Sequence, residues 1–371
     1  MPNKQARVFS IDLARGGAAF FLVAVHTLWM YGSRDVQLNS SFGQITHTLG
    51  QATAFFLLTM GFSFVVTPHQ SLAYSLKRAI SIIFAGYLLN TLKFIVPIKI
   101  FNTMPEEFIA AYGWQSPLEF HQLRYLFLTG DILQMTGISF AIVGLARYYV
   151  KDKYTILLLA FLVIGIYPFI KGFRPGVLGL DYICDLLWGN QWNIYFPVLP
   201  WISNVFVGMF MGMYFQDKQK GEAGLYESML LVGLPCLTVG GGLCYYDWET
   251  QFNDFFHPGH GGAMLALGAS LCGFYLFGKT ISATLSGNEK FRRAILYLSS
   301  RVTTIYIVQW TLVCWGMGII GYQSLGTSQL VLLIPIMISL TLAVDYGVLR
   351  FSRLISSTMT QFKEMTDSPS P

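Results

Sequence analysis

Long apolar runs alternate with short polar segments along the chain. A transmembrane helix needs about 20 mostly apolar residues, and the runs of roughly that length predict ten such helices. Their predicted positions are 14–32, 47–67, 79–97, 126–148, 154–170, 194–215, 226–245, 261–280, 294–319 and 327–348. The fourth, sixth and ninth runs contain Gly, Pro or polar residues, which membrane helices tolerate where they line a protein interior or a wet cavity.

The overall composition supports this pattern. Of the 371 residues, 54% are hydrophobic and 12% are charged, and the mean hydropathy is +0.52. So few charges cannot cover the surface of a water-soluble protein. The sequence therefore predicts an all-α, polytopic membrane protein. We expect one transmembrane domain over residues 1–360 and a disordered cytoplasmic tail over residues 361–371.

Positive charge is distributed unevenly between the predicted loops. With the N-terminus placed inside, most of the 24 lysines and arginines fall in inner segments, as is typical of cytoplasmic loops. Ten helices then return the C-terminus to the cytoplasm. This bias explains the net charge of +5 without a nucleic-acid partner. We expect a multi-pass protein of a bacterial inner membrane, surrounded by the lipid bilayer, whose first helix is not cleaved as a signal.

The cysteines and the missing motifs argue against several functions. The five cysteines show neither metal-ligand spacing nor a disulfide framework, so no metal is expected. Four of them lie in apolar runs, and Cys184 is predicted to be a free thiol on the outer face. The sequence has no Walker A motif, no HExxH motif and no nucleophile elbow, and the lack of a nucleotide-hydrolysis motif argues against a primary pump.

Three ionisable residues in or beside apolar runs are candidates for catalysis: His26, Asp131 and His47. A helix rises about 1.5 Å per residue, so His26 lies at least half-way across the membrane if Arg15 marks the inner interface. An imidazole there can act as a general base or an acyl carrier. Each residue also has a structural interpretation: a histidine satisfied by a neighbouring helix for His26, a helix cap for Asp131 and an interfacial histidine for His47.

The inner side is basic in a way that suits a phosphorylated ligand. Anionic lipid head groups would suit the same residues, so both interpretations stay open. Tyr306 and Arg301 lie within the ninth apolar run, and Trp201 lies near the start of the sixth. The residues predicted to bind such a ligand are Arg15, Lys77, Arg78, Arg301, Tyr306 and Trp201.

The outer side differs, because its three longer loops are acidic and rich in aromatic residues. These loops are residues 98–125, 171–193 and 246–260. Carboxylates beside aromatic faces suit a sugar or an amine, although an aromatic belt at the membrane interface gives the same composition. Two unlike ligands would then approach His26 from opposite sides.

Several stretches of the chain resemble the transmembrane acyltransferase superfamily in both sequence and order. The opening RVFSIDLARGGAAFFLVAVH (7–26) repeats its spacing from Arg to Asp to Arg-Gly to His. Further likenesses are FFLLTMGFSFVVT (55–67), SLKRAISIIFAGYLLN (75–90), GDILQMTGISFAI (130–142), YFPVLPWISNVFVGMFMG (195–212) and TTIYIVQW (303–310). Within the superfamily, the likeness is to the heparan-α-glucosaminide N-acetyltransferase group and its bacterial relatives.

The resemblance implies acetyl-CoA as a cytoplasmic donor, an extracytoplasmic saccharide as the acceptor and a histidine as the central catalytic residue. The group's H-A-S-W-N-G loop is missing from the corresponding segment SRDVQLNSSFGQITH (33–47), so His26 is the best match for that histidine. A proton-coupled secondary transporter of a small polar solute is the alternative function, because buried ionisable residues and interrupted helices suit transport as well. A homodimer also stays open.

Overall fold

A computed structural model describes residues 8–50, 53–68, 71–217, 221–252 and 254–367. Arg7, which begins the first predicted motif, lies outside these residues. The described chain is built from α-helices, with two isolated β-bridges and no sheet among the described residues. This confirms the predicted all-α class.

The described residues form sixteen α-helices, numbered here in chain order. A π-helical segment, Thr91–Ile100, directly continues α5. The helices are α1 (Phe9–Tyr31), α2 (Arg34–Asn39), α3 (Ser41–Gly50), α4 (Thr53–Val66), α5 (Leu72–Asn90), α6 (Glu106–Ala110), α7 (Phe120–Phe127), α8 (Ile132–Tyr149), α9 (Lys153–Ile170), α10 (Leu180–Trp188), α11 (Val198–Phe215), α12 (Gly221–Tyr246), α13 (Trp248–Phe252), α14 (His260–Leu285), α15 (Glu289–Ile320) and α16 (Thr327–Asp367).

Nine helical stretches of the described chain are long and apolar enough to cross a membrane, so the chain is a polytopic membrane protein. The fourth predicted span corresponds to α8, which is not one of the nine and carries polar residues such as Gln134. Helix α8 runs antiparallel along α5, because Gly86 faces Gln134 and Gly144 faces Ser75. We therefore expect α8 to complete the set of ten. The side on which each terminus lies stays a prediction.

Helix α11 lies at the centre of the bundle and packs closely on α4 through glycines. A Cβ on Gly208 would overlap with the carbonyl oxygen of Leu58, and a Cβ on Gly61 of α4 would overlap with that of Val205. A Cβ on Gly212 would lie 3.0 Å from the carbonyl oxygen of Phe62. The two glycines of the GxxxG step at 208 and 212 therefore serve packing within the chain, as the sequence predicts.

Helices α1 and α15 form the second close pair, and they carry the central histidine and its neighbours. A Cβ on Gly16 would lie 2.9 Å from the carbonyl oxygen of Ile295 and 3.3 Å from Leu298. The absence of a side chain at residue 16 therefore lets the N-terminal halves of the two helices approach each other. Farther along the two helices, His26 of α1 contacts Gln309 and Trp310 of α15.

The segment from Thr91 to Ile100 departs from the α-helical form. It is a π-helix that contains Pro97, and Pro97 has no N–H to donate to the helix. π-Helical turns occur often at functional sites. Here the turn carries Lys93 into the interior, where the side chain is 2% exposed.

The C-terminal helix and Cys184 differ from expectation. Helix α16 continues to Asp367, so residues 361–367 are helical although the sequence predicts a disordered tail there. No Gly or Pro interrupts that stretch before Pro369, and it includes good helix formers. Residues 368–371 lie outside the described residues. Cys184 is free, as predicted, but its side chain is buried.

We expect Gly208→Ala to lower the free energy of unfolding by about 1–3 kcal/mol, the usual cost of overpacking a tight interface. The reason is that the new methyl group meets backbone rather than a movable side chain. Unfolding of the detergent-solubilised protein measures this. The control is Gly165→Ala in α9, where a Cβ meets nothing within 4 Å. Equal losses in the two variants would contradict the packing assignment.

Candidate functional site

His26 lies in a buried aromatic pocket between α1 and α15. Its side chain is 4% exposed, and the Gln309 amide donates from Nε2 to His26 Nδ1 over 2.7 Å. The Trp310 ring stacks on the imidazole with 4.0 Å between centroids. The ring centroids of Trp29 and Tyr306 lie 5.4 Å and 5.9 Å from that of His26. The pocket therefore fixes both the plane and one nitrogen of His26.

Helical spacing explains why these residues meet. Tyr306, Gln309 and Trp310 occupy positions i, i+3 and i+4 of α15, which share one face of a helix. His26 and Trp29 occupy positions i and i+3 of α1 and share a face in the same way. Because α1 packs against α15, the two faces enclose the imidazole.

Asp131 forms a second polar centre directly beside this pocket. Its Oδ2 lies 3.0 Å from Lys93 Nζ, and its Oδ1 accepts a hydrogen bond of 3.0 Å from the Tyr306 hydroxyl. Oδ1 also accepts from the backbone N–H of Ile132 at 2.8 Å, within a capping box completed by Gln134. Asp131 therefore both caps α8 and forms a buried ion pair with the Lys93 ammonium group.

Lys93 corrects one sequence-based assignment. The charge distribution counts Lys93 among the positive charges of the outer side, whereas the structure buries it within a membrane-length helix. Its ammonium group lies 4.7 Å from the Phe94 ring and 4.6 Å from the Trp310 ring. Trp310 thus contacts both His26 and Lys93, which couples the two centres physically.

His47 is connected to His26 through Trp29. The Trp29 indole donates from Nε1 to His47 Nδ1 over 3.0 Å, and Trp29 itself packs on the His26 ring. His47 is half-buried and its Nε2 has no hydrogen-bond partner among the described residues. The three predicted catalytic residues therefore belong to one continuous cluster, with His26 at its centre.

Cavities at the opposite end of α1 are lined by several of the predicted ligand-binding residues. One of about 260 Å³ is lined by Arg15 and Arg78 together with Ser63, Thr136 and Thr303. A second of about 460 Å³ is lined by Lys77, Arg78 and Arg301. Arg15 also donates to Ser63 Oγ over 3.4 Å. Basic side chains therefore surround two cavities that share Arg78.

Part of the wall of the first cavity lies near the Asp131 centre along the chain. Thr303 on its wall precedes Tyr306 by three residues of α15, a rise of about 4.5 Å. Thr136 on the same wall lies in α8, whose N-terminus is capped by Asp131. The cavity therefore ends close to the polar centre around Asp131.

Arg301 has a partner that the sequence did not reveal. Its guanidinium forms two hydrogen bonds of 2.8 Å with the carboxylate of Asp345 in α16, and the Tyr297 hydroxyl donates to the same carboxylate over 2.6 Å. Asp345 is completely buried. Arg301 thus lines the second cavity with its charge already balanced.

Trp201 and Tyr306 lie away from the two basic cavities. The Trp201 indole donates from Nε1 to the Phe256 carbonyl oxygen over 2.9 Å, and Tyr306 belongs to the Asp131 centre. The ligand-binding role assigned to each from sequence stays a prediction. Trp201 instead contacts the loop that contains Phe256, and Tyr306 contacts the side chains around His26.

A loop before α14 covers the chamber on the side away from the basic cavities. The Phe256 ring lies 6.3 Å from Trp29 and 5.3 Å from Tyr195. His257 fixes this loop, because its Nδ1 lies 2.7 Å from Asp254 Oδ2 and its Nε2 lies 2.7 Å from the Ile194 carbonyl oxygen. The cover is therefore tied to the segment that precedes α11.

The acidic residues of the predicted outer loops are in part paired. Arg174 Nε lies 3.2 Å from Asp185 Oδ1, and burial raises the pKa of Asp185 although that arginine opposes the shift. His121 Nδ1 lies 3.1 Å from Glu119 Oε2 at the surface. These carboxylates act first as structural partners, so the aromatic residues are the stronger remaining candidates for contact with an outer ligand.

Sequence reasoning missed Lys93, Asp345 and the specific partners of His26. A signal for Lys93 exists, because a lysine inside a long apolar run needs a buried partner, and Asp131 is a carboxylate in another run. The spacing of Tyr306, Gln309 and Trp310 indicated a shared face but not which helix it meets. That information comes only from packing.

We expect Lys93→Met to lower the free energy of unfolding by about 3–5 kcal/mol, because it leaves Asp131 as an unpaired buried charge. The double variant Lys93→Met/Asp131→Asn removes both charges and should recover much of this loss. A double-mutant cycle on the detergent-solubilised protein measures the coupling. Additive losses in the double variant would show that the pair is not coupled.

Comparison with known proteins identifies the family of the chain. The model of the family "heparan-alpha-glucosaminide N-acetyltransferase, catalytic" matches residues 7–246, which is more than half of the chain. No curated protein sequence matches the chain significantly. The matched region includes His26, His47, Lys93 and Asp131, and α15 beyond it supplies the remaining walls of the chamber. The chain therefore belongs to the heparan-alpha-glucosaminide N-acetyltransferase catalytic family and is a membrane-embedded acyltransferase.

Proposed function

We propose that the protein transfers an acetyl group from acetyl-CoA on the cytoplasmic side to an amino or hydroxyl group of a saccharide on the outer side. The observation that carries this proposal is the position of His26. It lies buried between basic cavities at one end of α1 and an aromatic cover at the other. Family membership favours this reaction over the transport of a small polar solute.

The inner cavities support a donor with several phosphates. Arg15, Lys77 and Arg78 supply positive charge that an exposed CoA nucleotide would neutralise. The smaller cavity is lined by apolar side chains such as Leu133 as well as by arginine, which suits an extended arm that carries the thioester. Arg301 contributes less to this charge because Asp345 already pairs with it.

The transfer itself needs one proton acceptor beside the thioester. His26 takes the proton from the acceptor's O–H or N–H while that heteroatom attacks the thioester carbonyl carbon. A C–O or C–N bond forms and the C–S bond breaks. His26 then returns the proton to the sulfur of CoA. Burial of the imidazole excludes water, which would otherwise hydrolyse the thioester.

Asp131, Lys93 and Tyr306 hold the wall of this chamber. The Tyr306 hydroxyl donates to Asp131, so it stabilises negative charge on the thioester oxygen only if it gives up that bond. The Lys93 ammonium group lies 4.6 Å from the Trp310 ring, which stacks on His26. The Lys93–Asp131 ion pair is therefore a fixed dipole beside the reacting groups. Preorganised charge of this kind is usually a large contribution to catalysis.

Aromatic residues on the outer side support a saccharide acceptor. Tyr112 stacks on Trp114 at 5.0 Å between centroids, and Tyr195 packs on Phe256 at 5.3 Å. Such faces contact the C–H groups of a sugar ring, and the tyrosine hydroxyls can bond its hydroxyls. The Phe256 loop is the segment that must admit the acceptor, because it covers Trp29 and through it His26.

We expect His26→Gln to lower kcat by at least about 10²-fold, the lower end of what a positioned acid–base group contributes. Acetyl transfer from radiolabelled acetyl-CoA to glucosamine measures the effect. The matched control is His121→Gln, an exposed histidine of the outer loops, which should keep wild-type turnover. Wild-type turnover in His26→Gln, with a normal unfolding midpoint, would refute the role of His26.

We expect Arg78→Gln to weaken acetyl-CoA binding by about tenfold or more, since a hydrogen bond to a charged group contributes about 1.5–3 kcal/mol. The preference for acetyl-CoA over its 3′-dephospho form should shrink in parallel. Calorimetry on the purified protein measures both quantities. Arg147 lines a separate cavity of about 330 Å³, so Arg147→Gln serves as the control. Equal effects of the two substitutions would argue for nonspecific attraction.

A further inference from the structure

Gln309 is the polar side chain that bonds His26. It is 0% exposed, and its amide lies 2.7 Å from His26 Nδ1. Among the described residues, no protein group bonds His26 Nε2, so that nitrogen is the one left for a ligand. The partner at Nδ1 therefore decides what Nε2 can do.

The observed orientation gives one tautomer. When the Gln309 amide donates to Nδ1, that nitrogen carries the lone pair and the ring proton of neutral His26 sits on Nε2. In this form Nε2 donates a hydrogen bond and cannot accept a proton. The observed orientation therefore does not suit the general-base step.

A half-turn of the Gln309 carboxamide gives the other tautomer. The two ends of a carboxamide have nearly the same shape, so the turn needs little space. Oε1 would then accept from Nδ1–H, and the lone pair would move to Nε2. In the observed orientation Oε1 is buried and no described residue donates to it, so the turn breaks no existing bond of that oxygen.

We propose that Gln309 is a positioning residue that selects the tautomer of His26. With Oε1 toward Nδ1, His26 accepts the acceptor's proton at Nε2, and the same contact holds the imidazolium until the proton passes to sulfur. A neutral amide does this without the permanent charge of a carboxylate. The inference rests on the proposed function of His26, but the tautomer itself can be observed without turnover.

Two substitutions separate the roles of the amide. Gln309→Glu is close to isosteric and presents only acceptors when ionised, so it should fix the proton on Nδ1. Gln309→Met keeps a similar length but removes both hydrogen-bonding groups. Thr311→Val is the control, because it removes a hydrogen bond to the Ile307 carbonyl oxygen on the same helix without touching His26. Unfolding midpoints of all variants report on folding.

The first measurement is ¹⁵N NMR of protein labelled at histidine, with the His26 signals assigned through His26→Gln. Protonated and unprotonated ring nitrogens have well-separated shifts. We expect Gln309→Glu to show a protonated Nδ1 and Gln309→Met to show a mixture of tautomers. His26 signals that are the same in wild type, Gln309→Met and Gln309→Glu would overturn the proposal.

The second measurement is the pH dependence of acetyl transfer. Gln309→Met should lower kcat by about 10²-fold with KM for acetyl-CoA changed less than threefold, whereas Thr311→Val should change neither. Gln309→Glu should move the acidic limb of the kcat profile to higher pH, since a carboxylate favours the imidazolium. An acidic limb at the wild-type position would contradict the assignment. Tautomer changes in a protein without any acetyl transfer would instead defeat the proposed function alone.

Discussion

Polar groups buried between membrane helices must satisfy one another, because hydrocarbon offers them no partner. In this protein the constraint is met by Lys93 and Asp131, whose charged atoms lie 3.0 Å apart. The pair joins the π-helical segment after α5 to the start of α8, and Tyr306 adds α15 to the same centre. The position of α15 then determines where Gln309 and Trp310 stand, and with them the surroundings of His26.

This arrangement separates two kinds of environment along one helix. The N-terminal end of α1 lies beside cavities lined by arginine, while its C-terminal part lies under aromatic side chains held by the Phe256 loop. His26 stands between them and touches neither solvent face. Burying an imidazole in a membrane protein costs free energy, so this position supports the proposed role of His26 in transfer between two unlike ligands.

The sequence was sufficient for the class of fold, and three residues that it selected as candidates for catalysis lie together in the structure. Nine of the ten predicted runs correspond to membrane-length helices of the described residues, the fourth run corresponds to α8, and the Gly208–Gly212 step packs as its small residues suggested. His26, His47 and Asp131 were selected because ionisable groups in apolar runs are rare, and the structure places them in one cluster.

Partners across the bundle were beyond the sequence, because they depend on which helices meet. Lys93 lies inside the third predicted run and was counted with the outer charges, but its buried partner Asp131 lies at the start of a different helix. Arg301 was expected to face a ligand or the interface, but Asp345 lies more than forty residues later on α16 and neutralises it. Trp201, near the start of the sixth predicted run, was expected to bind a ligand, and its observed hydrogen-bond partner is a carbonyl oxygen of a distant loop.

The most direct test of the central claim is the sidedness of transfer in proteoliposomes of known protein orientation. Radiolabelled acetyl-CoA is supplied to one side of the membrane and glucosamine to the other. We expect labelled product only when the donor faces the basic cavities around Arg15 and Arg78 and the acceptor faces the Phe256 loop. Product formed only when both compounds are on the same side would contradict a chamber that is reached from opposite faces.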